Sequence, residues 1–244
     1  MLKTLGVAVL NRGDLLLRCI ASIDHPVEHL FLIDNGNDGG VRHTLEQVRT
    51  RKIGNAALFS RITIEKHRNL GCGPSWNRIT KESPGPWLIC GSDVQFSEKK
   101  LALIEARSLE HPDASIICAF GYNAFMLTEL GVRKVGMFDE NFYPAYFEDV
   151  DHFRRVALSG AKAVDVPGFH CVHGEAPLWG SSTVSSDPSL KARNGITFAN
   201  NRDYYIRKWG GPPAQEKWRR PFNRDVPLDW WVLDAALRKK NSLW

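Results

Sequence analysis

Three carboxylates lie within four residues at Glu148, Asp149 and Asp151, directly after the aromatic residues Phe142, Tyr143, Tyr146 and Phe147. Acidic residues in a first helical turn are favoured by the helix dipole. One reading is therefore a well-capped helix whose apolar positions Val150, Phe153, Val156 and Ala157 form its buried face. The other is chemical: a carboxylate among aromatic rings can take a proton from an alcohol, and a sugar face stacks well on such rings. A second, isolated carboxylate, Asp93, follows the apolar run of PWLICGSDVQF. It is either a metal ligand or the cap of a turn at a strand end.

These residues need elements to hold them. Thr4 to Leu10, His29 to Ile33, Arg61 to Glu65 and Trp87 to Cys90 read as short buried strands. Helical patterns lie between and after them: Asp14 to Ile23 with an N-cap at Gly13 or Asp14, a polar helix ending near Lys52, Gly73 to Lys81, and Glu98 to Leu109. Such alternation predicts an α/β fold with a Rossmann-like, mostly parallel sheet covered on both faces. Ligands of these sheets bind beyond the carboxyl ends of the strands. Four such ends carry polar residues: Asn11 and Arg12, Asp34 and Asn35 before Gly36, Asn69 to Gly73, and Ser92 with Asp93. All four should face one crevice. Gly71 and Gly73, just before a helix, would let backbone N–H groups approach an anionic ligand, although the longer dinucleotide fingerprint is absent.

With 43% hydrophobic and 24% charged residues over 244 positions, the chain has the makeup of a globular protein rather than a disordered one. Five scattered cysteines without a C-x-x-C pair suggest neither a disulfide framework nor a zinc site, so a cytoplasmic, reducing location is expected. No leader peptide and no transmembrane segment are read from the sequence. The charge excess of +5 sits entirely after residue 200, where ten Lys/Arg meet five Asp/Glu and five of the eight tryptophans. A basic aromatic segment of this kind either packs on the core with its charges solvated or offers a surface to nucleic acid, membrane or an acidic substrate.

The ordered set VAVLNR, LFLIDNGNDG, HRNLGCGPSWNRI, WLICGSDVQF, VGMFDENFYPAYFEDVDHFRRVALSGAKAV, VPGFHCVHG and NRDYYIRKWG resembles family 2 glycosyltransferases with the GT-A fold, in particular the rhamnosyltransferase-like bacterial branch. The resemblance covers roughly residues 4 to 210, leaving 211–244 as a basic, Trp-rich C-terminal extension. It implies a nucleotide-diphosphate-sugar donor across the carboxyl ends of the first strands. Asn11 and Arg12 would line its mouth, Asp34 would contact base or ribose, and Asn69, Gly71 and Asn77 would lie near nucleotide and sugar, with Asn35 and Ser92 at the same strand ends. Asp149 would be the catalytic base. The family's D-x-D motif has Gly91 in its first position here, which leaves Asp93, joined by His173, to hold Mn²⁺ or Mg²⁺ against the diphosphate.

The activity so implied is inverting transfer to a hydroxyl of a carbohydrate, protein or other acceptor. Two other readings stand beside it: a GT-A-like domain that binds nucleotide sugar with little turnover, motivated by Gly91, and a glycosyltransferase acting on nucleic acid, motivated by the basic tail. The Ser/Gly/Pro-rich stretch Gly174 to Ser189 reads as a connection able to close over donor. Leu228, Trp231, Val232, Ala235 and Ala236 would share one face of a helix from Leu228 to Lys239, for docking on the protein or on a like subunit in a homo-oligomer.

Overall fold

Apolar residues with period 2 on both faces of successive strands require a sheet covered twice, and the chain builds one. The computed structural model describes residues 1–175 and 182–230. Its main sheet comprises β1 (Leu2–Val9), β2 (Val27–Asp34), β3 (Phe59–Lys66), β4 (Trp87–Gly91), β6 (Ala114–Phe120), β7 (Ala124–Leu127) and β8 (Lys162–Asp165), in the order β3-β2-β1-β4-β7-β6-β8. Strands β1 to β4 run parallel, β7 is antiparallel to both neighbours, and β6 and β8 are parallel. A separate two-stranded ladder pairs β5 (Val94–Phe96) with β9 (Cys171–His173).

Alternate residues of one strand enter different cores. Leu30 and Leu32 join Leu16, Ile20, Val41 and Leu45, which belong to α1 (Gly13–Ala21) and α2 (Gly39–Arg49). Phe31 and Ile33 join Ile79, Phe138 and Val156 on the opposite face, where α3 (Cys72–Glu82), α5 (Glu129–Val135) and α6 (Glu148–Leu158) lie. The helix α4 (Lys100–Glu110) contributes Leu101 and Ile104 to the first core. Both faces of the parallel part are thus apolar, as parallel sheets require.

Three expectations need correction. The N-cap of α1 is Arg12, in the left-handed region at φ 60°, one residue before the expected positions. The buried face of α6 is not the apolar stripe: Phe153 is 52% exposed and Ala157 is exposed, whereas Glu148, Asp151, His152 and Arg155 are buried with Val156. These polar side chains at i, i+3, i+4 and i+7 face inward: Arg155 pairs with Asp151 at 2.9 Å and His152 Nδ1 meets the Tyr122 hydroxyl at 2.7 Å, while Glu148 Oε2 has no hydrogen-bond partner among the described residues. Within the expected connection Gly174 to Ser189, α7 (Ser182–Ser185) forms and α8 (Pro188–Trp209) begins, capped by the Asp187 carboxylate on Ser189 N (2.8 Å) and Leu190 N (3.1 Å).

The chain after α8 folds back on it. Trp218 N donates to Trp209 O at 3.1 Å, Arg154 pairs with Glu216 at 3.3 Å, and the Trp230 ring meets Phe222 edge-on at 4.8 Å. Of the helix expected over 228–239, positions 228–230 form a turn and the rest lies outside the described residues. Among the described residues no helix is long and apolar enough to cross a membrane.

Candidate active site

The strand order changes direction at β1, whose neighbours are β2 and β4, and the crevice at such a switch point is where open α/β sheets bind ligands. The carboxyl end of β4 delivers Ser92 and Asp93 there, both buried. Pairing of Val94 with His173 in the β5–β9 ladder, with Gly174 N donating to Asp93 O at 2.8 Å, brings a histidine 80 residues away beside Asp93. His173 Nε2 stands 3.3 Å from Asp93 Oδ1, and the Phe120 ring holds the imidazole edge-on at 5.6 Å. A β-carbon at Gly91 would lie 2.9 Å from Asp93 Oδ1, so the Asp93 carboxylate occupies space that a side chain at 91 would need. Among the described residues no group of three or more His, Cys, Asp or Glu is placed to hold a metal. Asp93 and His173 are an oxygen and a nitrogen donor that suit a divalent ion completing its shell with phosphate and water.

The turn before α3 is locked by close contact. Gly71 has φ 84°, and a β-carbon there would fall 2.5 Å from Pro144 O. Its N–H goes to Asn69 Oδ1 (3.0 Å) and that of Cys72 to Pro144 O (2.7 Å), so of the two glycines expected to open amides to an anionic ligand, Gly71 gives its own to the turn. Tyr143 Oη donates to Asn69 O at 2.8 Å. Asn35 ties the second strand end to the same turn, accepting from Leu70 N (3.1 Å) and donating to Ser75 Oγ (2.8 Å).

The first turn of α6 carries the acids. Asp149 is half-buried, and its desolvation pushes the carboxyl above the usual range despite a 2.8 Å hydrogen bond from Val150 N. Glu148, 4% exposed, is pushed up further by burial and by the neighbouring Asp149 charge. Two carboxyls in one desolvated pocket with different proton affinities divide into an acid and a base.

Asp151 belongs to a different environment. Its Oδ2 accepts from Arg155 Nε at 2.9 Å, and its Oδ1 takes Lys208 Nζ at 2.6 Å and Trp209 Nε1 at 2.8 Å. Burial raises its carboxyl, but Lys208 and Arg155 outweigh that and hold it below the usual range. Lys208 also reaches Asp139 Oδ2 at 2.8 Å, and Arg155 donates to Val135 O and Met137 O. These four charges are fully buried, and they bolt α8 and the 135–141 segment onto α6 two residues from Asp149. Lys208 was not a candidate from the sequence, where it reads as one more cation of a basic tail.

Two contiguous cavities run along the strand ends. One of about 320 Å³ has Ser92, Asp93, Glu148, Asp149 and His173 in its wall, with Trp76, Tyr122 and Tyr146 beside them. The other, of about 1010 Å³, lies beyond β1, β2 and β3 and is lined by Asn11, Asp38, Lys66, Arg68 and Arg193 among others. Asn35, Asn69 and Asn194 border both, and Gly71 borders the smaller. The structure thus brings Asn11, Asn35, Asn69, Gly71, Ser92, Asp93, Asp149 and His173 together.

Three expected donor contacts are not in either wall. Asn77, 1% exposed, has its amide consumed by Phe138: Nδ2 donates to Phe138 O and to Glu140 Oε1, both at 2.9 Å, and Oδ1 accepts from Phe138 N at 2.9 Å. It staples α3 to the chain leading into α6. Asp34 is buried and accepts from Gly36 N at 3.1 Å, shaping the turn rather than facing the cavity. Arg12 turns its guanidinium to Asp14 (2.9 and 2.7 Å) and to Glu175, which anchors the chain leaving β9. Arg12 and Asp34 are expected as strand-end polar residues and Asn77 by the family resemblance; the packing places their groups on the scaffold.

No protein-family model matches the chain. In an alignment 145 residues long that covers 49% of the chain, it is 34% identical to a protein of Leishmania donovani named galactofuranosyl glycosyltransferase, and it spans only 31% of that protein's length. Solved structures match nearly throughout. A mannosyltransferase from Pyrobaculum calidifontis, in complex with GDP-Man and Mn²⁺, superposes over 98% of this chain and 73% of its own, with TM-score 0.60 and 15% identity. S. aureus TarS 1-349 superposes over 86% and 74%, with TM-score 0.54 and 14% identity. Its complex with UDP-GlcNAc covers 85% and 71%, with TM-score 0.55 and 13% identity. The chain therefore has the GT-A fold of these glycosyltransferases, as the sequence resemblance implies.

Proposed function

We propose that the chain is an inverting, metal-assisted glycosyltransferase that moves a sugar from a nucleotide-diphosphate-sugar to an acceptor hydroxyl. One observation carries this reading: on a GT-A fold, a carboxylate with raised proton affinity, Asp149, shares a small cavity with the Asp93–His173 pair, and that cavity opens into a larger one at the ends of β1, β2 and β3. Neighbours of the same fold are solved with GDP-Man and with UDP-GlcNAc, which supports a nucleotide-sugar donor of this class.

In this reading the nucleoside diphosphate fills the larger cavity and its sugar enters the smaller one. Lys66, Arg68 and Arg193 offset the phosphate charge from the wall, and Asn11, Asn35 and Asn69 offer amide groups. Asp149 takes the acceptor proton as the acceptor oxygen bonds to the anomeric carbon. The bond from that carbon to the diphosphate oxygen breaks with its electron pair on the leaving group. A single displacement inverts the configuration, and Glu148, whose carboxyl burial holds above the usual range, favours its neutral form beside the base. Asp93 and His173 would hold Mn²⁺ or Mg²⁺, which supplies charge stabilisation for the departing diphosphate.

The donor is identified by a thermal-shift panel of UDP-, GDP- and dTDP-sugars with and without Mn²⁺. A matching donor at ~100 times its dissociation constant contributes about 2.7 kcal/mol and shifts the melting temperature accordingly. A flat response to every donor would rule the reading out. In the same assay Asp93→Ala is expected to remove the Mn²⁺-dependent part of the shift. An unchanged Mn²⁺ effect in that variant would return Asp93 to the role of a turn cap.

Gly91 in the first D-x-D position supports a second reading, a domain that binds nucleotide sugar with little turnover. Hydrolysis of the identified donor with Mn²⁺ separates the two, because a transferase without acceptor still hands its sugar slowly to water.

A further inference from the structure

We propose that the acceptor is a carbohydrate and that the ring of Tyr146 is the platform on which its sugar stacks, next to Asp149. The inference rests on the glycosyl-transfer reading and names the substrate class of the same site.

Two consecutive aromatic residues before α6 adopt left-handed backbone, Tyr146 at φ 79° and Phe147 at φ 71°. Bulky side chains avoid this region, and they persist in it where the surroundings or the function demand it. For Phe147 the surroundings suffice. It is the N-cap residue of α6, and its ring is buried with Phe142, Tyr205 and Trp209. Tyr146 has no such return from burial: the residue is 36% exposed, its ring 5.3 Å from that of Phe198 and in the wall of the smaller cavity. Backbone needs at this position are met by Asn201, whose Nδ2 donates to Ala145 O (2.8 Å) and Tyr146 O (3.1 Å), and a glycine would accept the same geometry without strain. What a glycine would lack is the ring. Asn194 Nδ2 donates to the Tyr146 hydroxyl at 2.9 Å and fixes the ring's direction.

The groups around the ring match a sugar. A pyranose or furanose presents an apolar C–H face to an aromatic ring and hydroxyls at its rim. Asn194 bonds the Tyr146 hydroxyl, Asp149 and Glu148 stand in the wall of the same cavity, and Glu148 Oε2 is buried without a hydrogen-bond partner among the described residues. Nucleic acid fits poorly, because the wall of this cavity carries the carboxylates Asp93 and Asp149 and, among the described residues, no Lys or Arg to meet phosphate.

The test is binding, not turnover. Saturation-transfer NMR on the full chain would use methyl α-mannopyranoside, methyl β-galactopyranoside and methyl β-galactofuranoside, with a serine/threonine peptide and a short oligothymidylate as the other acceptor classes. Tyr146→Phe keeps the ring, and Tyr146→Gly removes it while relieving the backbone. Wild type and Tyr146→Phe are expected to saturate the C–H protons of at least one glycoside, and Tyr146→Gly to weaken that binding at least about tenfold while keeping its melting temperature. Equal glycoside binding in wild type and Tyr146→Gly overturns the proposal. So does failure of every glycoside, or binding of peptide or oligonucleotide that depends on Tyr146. Weakened binding of UDP or GDP in Tyr146→Gly, in step with the glycoside, also overturns it, since the ring would then serve the donor side. Glycoside binding in a chain that binds no nucleotide would instead retain the platform and reject the transferase reading.

Discussion

Asp149→Asn is expected to lower the transfer rate by ~10²–10⁴-fold, the range lost with a general base, while leaving donor affinity nearly unchanged. The amide keeps the shape of the carboxylate and its hydrogen bond from Val150 N, and loses only the basicity. Because desolvation raises the Asp149 carboxyl, the base form disappears as pH falls through a value above the ordinary aspartate range of about 3.9. The acid limb of the wild-type rate profile should therefore lie above that value, and the variant's residual rate should lack it. The same shift has a stability consequence of opposite sign. A carboxyl whose folded pKa is raised adds stability that is fully present below its unfolded pKa and is lost as pH rises through the folded one. Above its raised folded pKa the ionised Asp149 thus costs stability, so Asp149→Asn should gain on wild type in melting temperature as pH rises and lose that advantage toward about pH 4. Near-normal turnover in this variant, or no gain on wild type in melting temperature as pH rises, would remove Asp149 from the role of base.

The parts of the fold that could be read in advance are those dictated by short-range pattern. Strand runs such as LFLID carry apolar residues on both faces, which only a doubly covered parallel sheet can bury, and the polar residues at their ends had to meet at one edge. The second half is different because its order comes from contacts remote in sequence. Asp93 meets His173 only through the β5–β9 ladder, and a three-residue strand has too little pattern to announce itself. On α6 the apolar residues Phe153 and Ala157 point outward while Asp151 and Arg155 point in, an inversion possible only because Lys208, from α8, supplies the matching charge. Asn77 and Asp34 illustrate the converse: residue types suited to ligand contacts are equally suited to holding turns, and burial decides between the two.

Lys208→Met tests the network that holds the base in place, and it is expected to cost ~3–5 kcal/mol of stability, the range for removing one partner of a buried ion pair. The methionine fills similar volume, so the loss reports charge rather than cavity. Without the ammonium, Asp139 keeps neutral donors alone, the Tyr204 hydroxyl (2.9 Å) and the Asn141 side-chain amide (2.9 Å) and backbone N–H (3.0 Å), and Asp151 keeps Arg155 and Trp209, so buried negative charge exceeds positive. For a chain of this size the melting temperature should fall by roughly 6–20 °C. Pairing the substitution with Asp139→Asn restores the charge balance, and the double variant should recover a substantial part of the loss. Acid should erase the difference. Asp151 is held below its usual range in the folded state, so its contribution is present above the unfolded pKa and lost as pH falls through the folded one. The gap between wild type and Lys208→Met should therefore narrow in acid. A single variant that melts within about 2 °C of wild type at pH 7 would show that the buried cation contributes little net stability. A double variant that recovers nothing would show that the lysine stem's packing, and not its charge, holds α8 on α6.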